Sequence, residues 1–177
     1  MNPQTSSLID GVSAFVKDIP IDVKTPKSKR RSRGKLTFED SFLEVAHYKG
    51  GGKNIVAIGD QINATYEFEL YDACAVLCRR LLESLLILSF KHSKVEARIK
   101  DPAGKYLFLS NIVTIAKSDP DLDLSRNVND YLHDIVEVGN LSAHSIFIIA
   151  TKRDLDLIKY KFRIIIEELM HKAGKHA

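Results

Sequence analysis

The sequence predicts an all-α protein, an up-and-down helical bundle preceded by a partly flexible N-terminal extension. Two long stretches, from Asp60 to Asp101 and from Asn140 to Ala173, contain neither glycine nor proline, the residues that most often interrupt helices. Apolar residues recur within them at the spacing of one helix face, whereas strand signals are weak throughout. With 177 residues, 45% of them hydrophobic, the chain has enough apolar material for the core of a single domain.

The first third of the chain gives weaker signals. Residues Ser7–Lys17 form a candidate short amphipathic helix, and Thr37 and Asp40 have the spacing of a capping box that opens a second one. The apolar residues at helical spacing around this box are Phe38, Phe42, Val45 and Ala46. A glycine-rich loop follows, and the short apolar run Asn54–Ile58 fits an extended segment.

The longest predicted helix is the central element. It begins between Asp60 and Asn63, either of which can cap it, and runs to about His92. Its apolar stripe consists of Leu70, Cys74, Leu77, Leu81, Leu85 and Leu88, widened by Ala73, Cys78 and Leu82. A helix that is apolar over so much of its circumference is expected at the centre of a bundle. Free cysteine is among the most buried residue types, so both cysteines are interpreted as core residues and not as half of a metal site.

Two further helices follow the central one. One fits Lys105–Lys117 and ends before an Asp-Pro-Asp sequence. The next starts near Asp123 or Ser125 and runs to Val138. The residue after it, Gly139, is of the type that commonly follows the last turn of a helix.

The last predicted helix has the clearest signal. Thr151 and Asp154 have the spacing of a capping box at its start. Its apolar face comprises Leu155, Ile158, Phe162, Ile165 and Leu169. Such a helix should bury one face against the rest of the bundle.

Composition excludes several classes of protein. The longest apolar stretch, Leu81–Phe90, is interrupted by Glu83, whereas a membrane helix needs about 20 apolar residues. The N-terminus has no basic segment leading into an apolar core, so a secretory signal is not expected. Two cysteines argue against a disulfide scaffold and fit a reducing compartment. We therefore expect a cytoplasmic protein without membrane association, metal or other cofactor.

The net charge of +3 comes from one basic run between Lys24 and Lys35, which reads KTPKSKRRSRGK. Its seven basic residues are Lys24, Lys27, Lys29, Arg30, Arg31, Arg33 and Lys35. Without them the chain holds 19 Lys and Arg against 23 Asp and Glu. The run also contains proline, serine and glycine, which disfavour regular structure, so it is interpreted as a linker. It closes an N-terminal segment, residues 1–35, ahead of a bundle formed by residues 36–177.

This basic run has two interpretations of equal weight. It is either a solvated hinge, or an arm that binds RNA or DNA phosphates and releases their counterions. Because it contains no aromatic residue for stacking on bases, such an arm would supply affinity without sequence choice.

The segment Val138–Ser145, VGNLSAHS, places two polar residues between apolar ones. If the chain is helical from Asn140 onward, Asn140 and His144 lie one turn apart on the same face and can share a ligand. The small residues Ser142 and Ala143 leave room around them. The alternative is structural: Asn140 caps a helix end and His144 is a partly buried histidine with its hydrogen bonds satisfied.

The second half of the chain resembles the HEPN superfamily (higher eukaryotes and prokaryotes nucleotide-binding). The resemblance is carried by a helix reading YDACAVLCRRLLESLLI, then by GNLSAH, then by the amphipathic last helix, and it covers about Asn63 to Lys172. The chain is similar in particular to uncharacterised HEPN-like domains with an Arg-Arg-x-x-Glu-type helix and a Gly-Asn-x-x-Ala-His signature. These domains occur alone or attached to restriction and defence proteins. The resemblance implies a bundle that pairs as a homodimer through its motif side.

Surplus apolar residues after the motif agree with such an interface. They are Ile146, Phe147, Ile148 and Ile149. Contiguous apolar patches of this kind tend to be interfaces.

Ribonuclease members of the superfamily carry an arginine, then usually a polar residue, then a histidine after a short spacer, and they cleave RNA without metal. The resemblance matches the polar residue to Asn140 and the histidine to His144, which would be the catalytic residues of an active protein. The arginine position is Gly139. Losing a cation beside the scissile phosphate typically costs a few kcal/mol of transition-state stabilisation, so we expect poor RNA cleavage or none. Arg79, Arg80 or Arg126 is a candidate replacement from a neighbouring helix.

Arg79, Arg80 and Glu83 on the central helix are candidate ligand-binding residues together with Asn140 and His144. Because that helix is predicted to be largely buried, at least one arginine should face the motif, where it would bind phosphate or hold a carboxylate. On the same helix Glu83 lies three residues from Arg80 and four from Arg79. The alternative to ligand binding is a structural salt bridge between helices.

Three function classes follow from these patterns. The first is a HEPN-like module that binds RNA, a nucleotide or a protein partner in a bacterial defence or toxin-type system. The second is a metal-independent endoribonuclease that uses His144 with an arginine from another helix. The third is a dimerisation scaffold without a ligand.

Overall fold

The computed structural model describes residues 41–144 and 149–175, except for the side chain of His144. These residues form five α-helices: α1 Lys53–Glu67, α2 Tyr71–His92, α3 Leu109–Ser118, α4 Arg126–His144 and α5 Lys152–Lys172. Short 3-10 helices span Val45–His47, Lys49–Gly51 and Glu96–Ile99. Within the described ranges there is no β-strand, only an isolated bridge between Lys100 and Tyr106. The prediction of an all-α bundle is confirmed.

The long helices run up and down around α2, which packs against α1, α4 and α5. Asp72 at the start of α2 accepts a hydrogen bond from the backbone of Ala150, just ahead of α5. Ser89 near the end of α2 donates to a backbone carbonyl in the last turn of α5, so these two helices run parallel. The backbone of Ser125, just before α4, donates to Glu168 near the end of α5. Helix α4 is therefore antiparallel to α2 and α5.

The prediction of one long helix ending at His92 is wrong, because two helices occupy this region. Helix α1 ends at Glu67, and the chain turns at Glu69, whose φ of 61° is left-handed. Helix α1 also begins earlier than expected, at Lys53. The run Asn54–Ile58 is accordingly helical and not extended. The two isoleucines of this run, Ile55 and Ile58, lie with Ile62 on the face that α1 buries.

The buried face of α2 largely matches the predicted stripe. The members without solvent exposure are Cys74, Cys78, Leu81, Leu82 and Leu85. Leu77 and Leu88 are partly buried, whereas Ala73 is exposed and Leu70 precedes the helix with 55% of its surface exposed. The interpretation of both cysteines as core residues is confirmed. Burial, together with a hydrogen bond to Cys74, raises the pKa of the Cys78 thiol.

The helix expected around Phe42, Val45 and Ala46 is also wrong, because two 3-10 helices follow residue 44 instead. The segment is held on α1 by the buried side chain of Asn63. Its Oδ1 accepts from the Leu43 N–H at 2.8 Å, and its Nδ2 donates to the Leu43 carbonyl at 2.7 Å. These tertiary contacts satisfy backbone groups that an α-helix would have paired internally.

Among the last three helices, the start of α3 and the end of α4 differ from the prediction. Helix α3 starts at Leu109 and not at Lys105, because Phe108 has an extended backbone and Tyr106 forms the bridge with Lys100. Helix α4 begins after Ser125, as predicted, and the Ser125 hydroxyl accepts a hydrogen bond from the Val128 N–H. The expected end at Val138 is wrong, since α4 continues through Gly139 to residue 144.

Helix α5 follows the prediction closely. The capping box of Thr151 and Asp154 has both of its bonds: each side chain accepts a hydrogen bond from the backbone N–H of the other residue. The five apolar residues assigned to the buried face, from Leu155 to Leu169, are all buried.

Several expectations lie outside the described residues. They are the amphipathic helix at 7–17, the basic run at 24–35, the boundary between residues 35 and 36, and the capping box at 37–40. Among the helices that the structure describes, none combines the length and the apolar character needed to cross a membrane.

Candidate functional site

The candidate site lies where α2 and α4 cross, and Gly139 makes this close crossing possible. Gly139 is buried in the body of α4 with its Cα facing Arg79 of α2. A Cβ atom added at position 139 would lie 2.6 Å from the Cβ of Arg79 and 3.1 Å from its Cδ. Real Cβ atoms essentially never approach a neighbour below 3.0 Å. Only glycine at this position therefore lets the Arg79 side chain lie directly across α4.

The Arg79 side chain is oriented by Asn140. Its Nε donates a hydrogen bond to Asn140 Oδ1 over 2.9 Å, which joins residues 61 positions apart in the chain. The guanidinium offers five N–H donors, and this bond uses one. The described residues place no carboxylate and no second hydrogen-bond acceptor on Arg79, although the side chain is only partly exposed. A cation in such a setting is available for an anionic ligand.

Asn140 and position 144 lie on one continuous helix, which was the condition for placing them on the same face. Since α4 is helical through residue 144, these positions lie one turn apart on the same side of the helix. The side chain of His144 and residues 145–148 lie outside the described residues. The pairing of Asn140 with His144 therefore stays a prediction.

Arg79 is the candidate arginine that reaches the motif. Arg80 is exposed, and adjacent residues on a helix point about 100° apart. Arg126 is at the other end of α4, 13 residues or about 20 Å from Gly139. Glu83 is partly buried, and within the described part of the chain it forms no ion pair with either arginine of α2.

The opposite side of α4 holds a small cavity of about 110 Å³. Its lining residues are Val138, Leu141, Ser142, Ala150 and Asp154. The Ser142 hydroxyl is buried and has no hydrogen-bond partner among the described residues. Residues 140 and 142 point about 200° apart, so this cavity is separate from the Arg79–Asn140 site. At ~30 Å³ per water molecule it has room for about four waters and not for a nucleotide.

The packing role of Gly139 was not predicted from the sequence, where this residue indicated a helix end and a missing arginine. A glycine inside a helical pattern often has a packing reason, and that is the signal that could have identified it. Its partner on α2 could not be identified, because Arg79 and Arg80 are equivalent in the sequence pattern. Within the described residues no group of three His, Cys, Asp or Glu side chains is arranged to hold a metal ion.

Comparison of the chain with protein-family models, with curated proteins and with solved structures found no match. The resemblance to the HEPN superfamily therefore rests on the GNLSAH segment and on the order of the helices around it.

Proposed function

We propose that this chain is a HEPN-like helical module that binds the phosphate of an RNA or nucleotide at Arg79 and Asn140. The observation that carries the proposal is the partly buried guanidinium of Arg79, which is oriented by Asn140 and has no carboxylate partner among the described residues. A protein partner from a bacterial defence or toxin-type system belongs to the same proposal, since the resemblance points to that setting.

The chemistry of Arg79 fits a phosphate. A guanidinium donates two parallel N–H···O bonds to a phosphate, and such charge-assisted bonds are about twice as strong as neutral ones. Holding Nε on Asn140 fixes the plane of the fork and leaves both terminal NH2 groups available. Partial burial strengthens the attraction, because the effective dielectric constant is lower than in water.

A metal-independent endoribonuclease is the second candidate, and the position of Arg79 favours it. The arginine that active relatives carry at position 139 is missing, but the Arg79 side chain fills the space over that residue. In this mechanism His144 takes the proton of the 2′-hydroxyl as its oxygen attacks the phosphorus, and Arg79 stabilises the charge that develops on the phosphate oxygens. The bond from phosphorus to the 5′-oxygen breaks, the 5′-oxygen takes up a proton from water, and the products are a 2′,3′-cyclic phosphate and a 5′-hydroxyl. General acid–base action alone contributes about 10²–10⁴-fold, so we expect weak cleavage or none unless Arg79 also contacts the phosphate.

A homodimer is part of the proposal because HEPN-like bundles pair through the motif side. Leu141 and Ile149, on either side of the undescribed residues, are 39% and 74% exposed. Light scattering at micromolar concentration should show twice the chain mass of 19.9 kDa. A monomer alone at that concentration would contradict this part of the proposal.

The test uses EDTA-treated protein and a labelled single-stranded RNA. Arg79→Ala should weaken binding roughly 10- to 150-fold, which corresponds to the ~1.5–3 kcal/mol of a hydrogen bond to a charged group. Arg80→Ala is the matched control, since it removes an exposed arginine one residue away, and it should leave the Kd within about twofold.

The outcomes separate the three classes. Loss of binding in Arg79→Ala without cleavage in any variant supports the binding module. Robust cleavage by the wild type that disappears in His144→Ala selects the endoribonuclease. Equal binding in the wild type and in Arg79→Ala would refute the site at Arg79, and absence of binding in both would leave the scaffold.

A further inference from the structure

The connection between α2 and α3 folds back on itself like a small β-hairpin. The Asp101 N–H donates to the Lys105 carbonyl at 2.8 Å, and the Leu107 N–H donates to the Ile99 carbonyl at 3.0 Å. Tyr106 forms an antiparallel bridge with Lys100, and the backbone at Phe108 is extended, so successive side chains along this segment point to opposite sides. Leu107 is partly buried against the core, and Ile99 on the facing segment is fully buried. The alternate residues therefore point outward.

The outward residues are aromatic. Phe108 has 82% of its surface exposed and Tyr106 has 45%. They are two residues apart on an extended segment, which places them about 6.6 Å from each other along the chain. Tyr106 is held in place, because its hydroxyl donates to Glu96 and the Lys100 ammonium lies 4.9 Å from its ring centroid. The outer surface of the hairpin thus presents two aromatic rings to solvent.

The same segment is locally basic. Residues 91–108 hold five Lys and Arg against two Asp and Glu, whereas the other described residues hold 13 against 16. Both carboxylates of the segment are occupied: Glu96 binds Lys100 and Tyr106, and Asp101 accepts the Lys105 N–H. Arg98 is neutralised by the acidic residues that follow α3. In the described structure no ion pair joins the remaining cations to a carboxylate; they are Lys91, Lys94 and Lys105.

We infer that this outer surface, here called the aromatic–basic face (Tyr106 and Phe108, with Lys100 over the Tyr106 ring and Lys105 next in the chain), binds single-stranded nucleic acid. Exposed aromatic rings stack on unpaired bases and lysines contact the phosphates between them, which is the recognition used by proteins that bind single strands without sequence preference. A duplex would not offer its base faces to Phe108. This inference shares no residue with the Arg79–Asn140 site and can hold if that site binds nothing.

The experiment measures binding of a fluorescein-labelled oligouridylate to the full chain by fluorescence anisotropy. Phe108→Ala should raise the Kd roughly 5- to 150-fold, the effect of losing one stacked base at ~1–3 kcal/mol. Phe68→Ala is the matched control, because Phe68 is 63% exposed in the α1–α2 connection but lies between two glutamates. It should leave the Kd unchanged. Circular dichroism of both variants checks that the bundle stays folded.

A salt titration tests Lys105 separately. Lys105→Gln should reduce the slope of log K against log salt by about 0.7, the value for one phosphate contact on a single strand. Repeating Phe108→Ala in an Arg79→Ala background separates this face from the Arg79 site, since the Phe108 effect should persist there.

Three results would overturn the inference. The first is no binding of oligouridylate by the wild type, and the second is an equal Kd for the wild type and Phe108→Ala. The third is a change of oligomeric state in Phe108→Ala without loss of oligouridylate binding, which would assign the face to a second copy of the chain.

Discussion

Replacing Gly139 by alanine tests whether the close crossing of α2 and α4 exists as described. In an uncrowded helix interior this substitution stabilises a protein by about 1 kcal/mol, because alanine has the higher helix propensity. At position 139, however, the new Cβ would lie 2.6 Å from the Cβ of Arg79. A Cβ atom cannot move away by a change of rotamer, so the two helices themselves must separate.

The size of the effect follows from that distance. Reaching the 3.4 Å of ordinary van der Waals contact requires a shift of 0.8 Å at the crossing. Overpacking of this kind typically costs about 1–3 kcal/mol, which exceeds the ~1 kcal/mol gained from helix propensity. The net expectation is a loss of about 1 kcal/mol in the free energy of unfolding. The same shift would stretch the Arg79–Asn140 hydrogen bond from 2.9 Å to about 3.7 Å, beyond hydrogen-bond range.

The assay is urea unfolding followed by circular dichroism, with RNA binding as a second measurement. Ser142→Ala is the matched control on the same helix: it adds no atom and removes an unpartnered buried hydroxyl, so its stability should be unchanged or higher. The decisive quantity is the sign of the change for Gly139→Ala. If that variant were more stable than the wild type by the full propensity gain, the crowded crossing would be refuted.

Three further predictions follow from the described contacts and the basic run. Asn63→Ala should lower the free energy of unfolding by about 2–4 kcal/mol, because it leaves the buried backbone N–H and carbonyl of Leu43 without partners. The control is Gln61→Ala, which changes an exposed side chain two residues away and should have almost no effect in the same urea titration. Burial raises the pKa of Asp119, but the Arg98 guanidinium and two backbone N–H groups outweigh it and hold the pKa below its usual 3.8. The stability that Asp119 contributes is therefore complete above about pH 5 and lost as the pH falls below 3.8, so the difference in unfolding free energy between wild type and Asp119→Asn should shrink in that acid range. Deleting residues 1–35 should weaken RNA binding and flatten its salt dependence if the basic run is a nucleic-acid arm, and an unchanged slope would show that it is only a linker.

The spacing of residues along the sequence was sufficient to predict the start and the buried face of helix α5. Its start depends on a capping box between residues three positions apart, Thr151 and Asp154, and its buried face on apolar residues at intervals of three and four. Both are properties of a single helix and need no knowledge of its neighbours. The same reasoning explains why the core position of Cys74 and Cys78 and the all-α class were predictable.

The break between α1 and α2 and the course of α4 depend on contacts between distant residues. The turn at Glu69 contains no glycine or proline that would mark it in the sequence, and beyond it α2 packs against α1. Glycine is typical of a helix end, yet α4 continues through Gly139. Because Gly139 has no Cβ, the Arg79 side chain of another helix can pack directly against it. The sequence by itself determined the all-α class, the limits of α5 and most of the buried faces of α2 and α5. Only the tertiary structure decided that Arg79, and not Arg80, meets Asn140, since that choice depends on how α2 is rotated against α4.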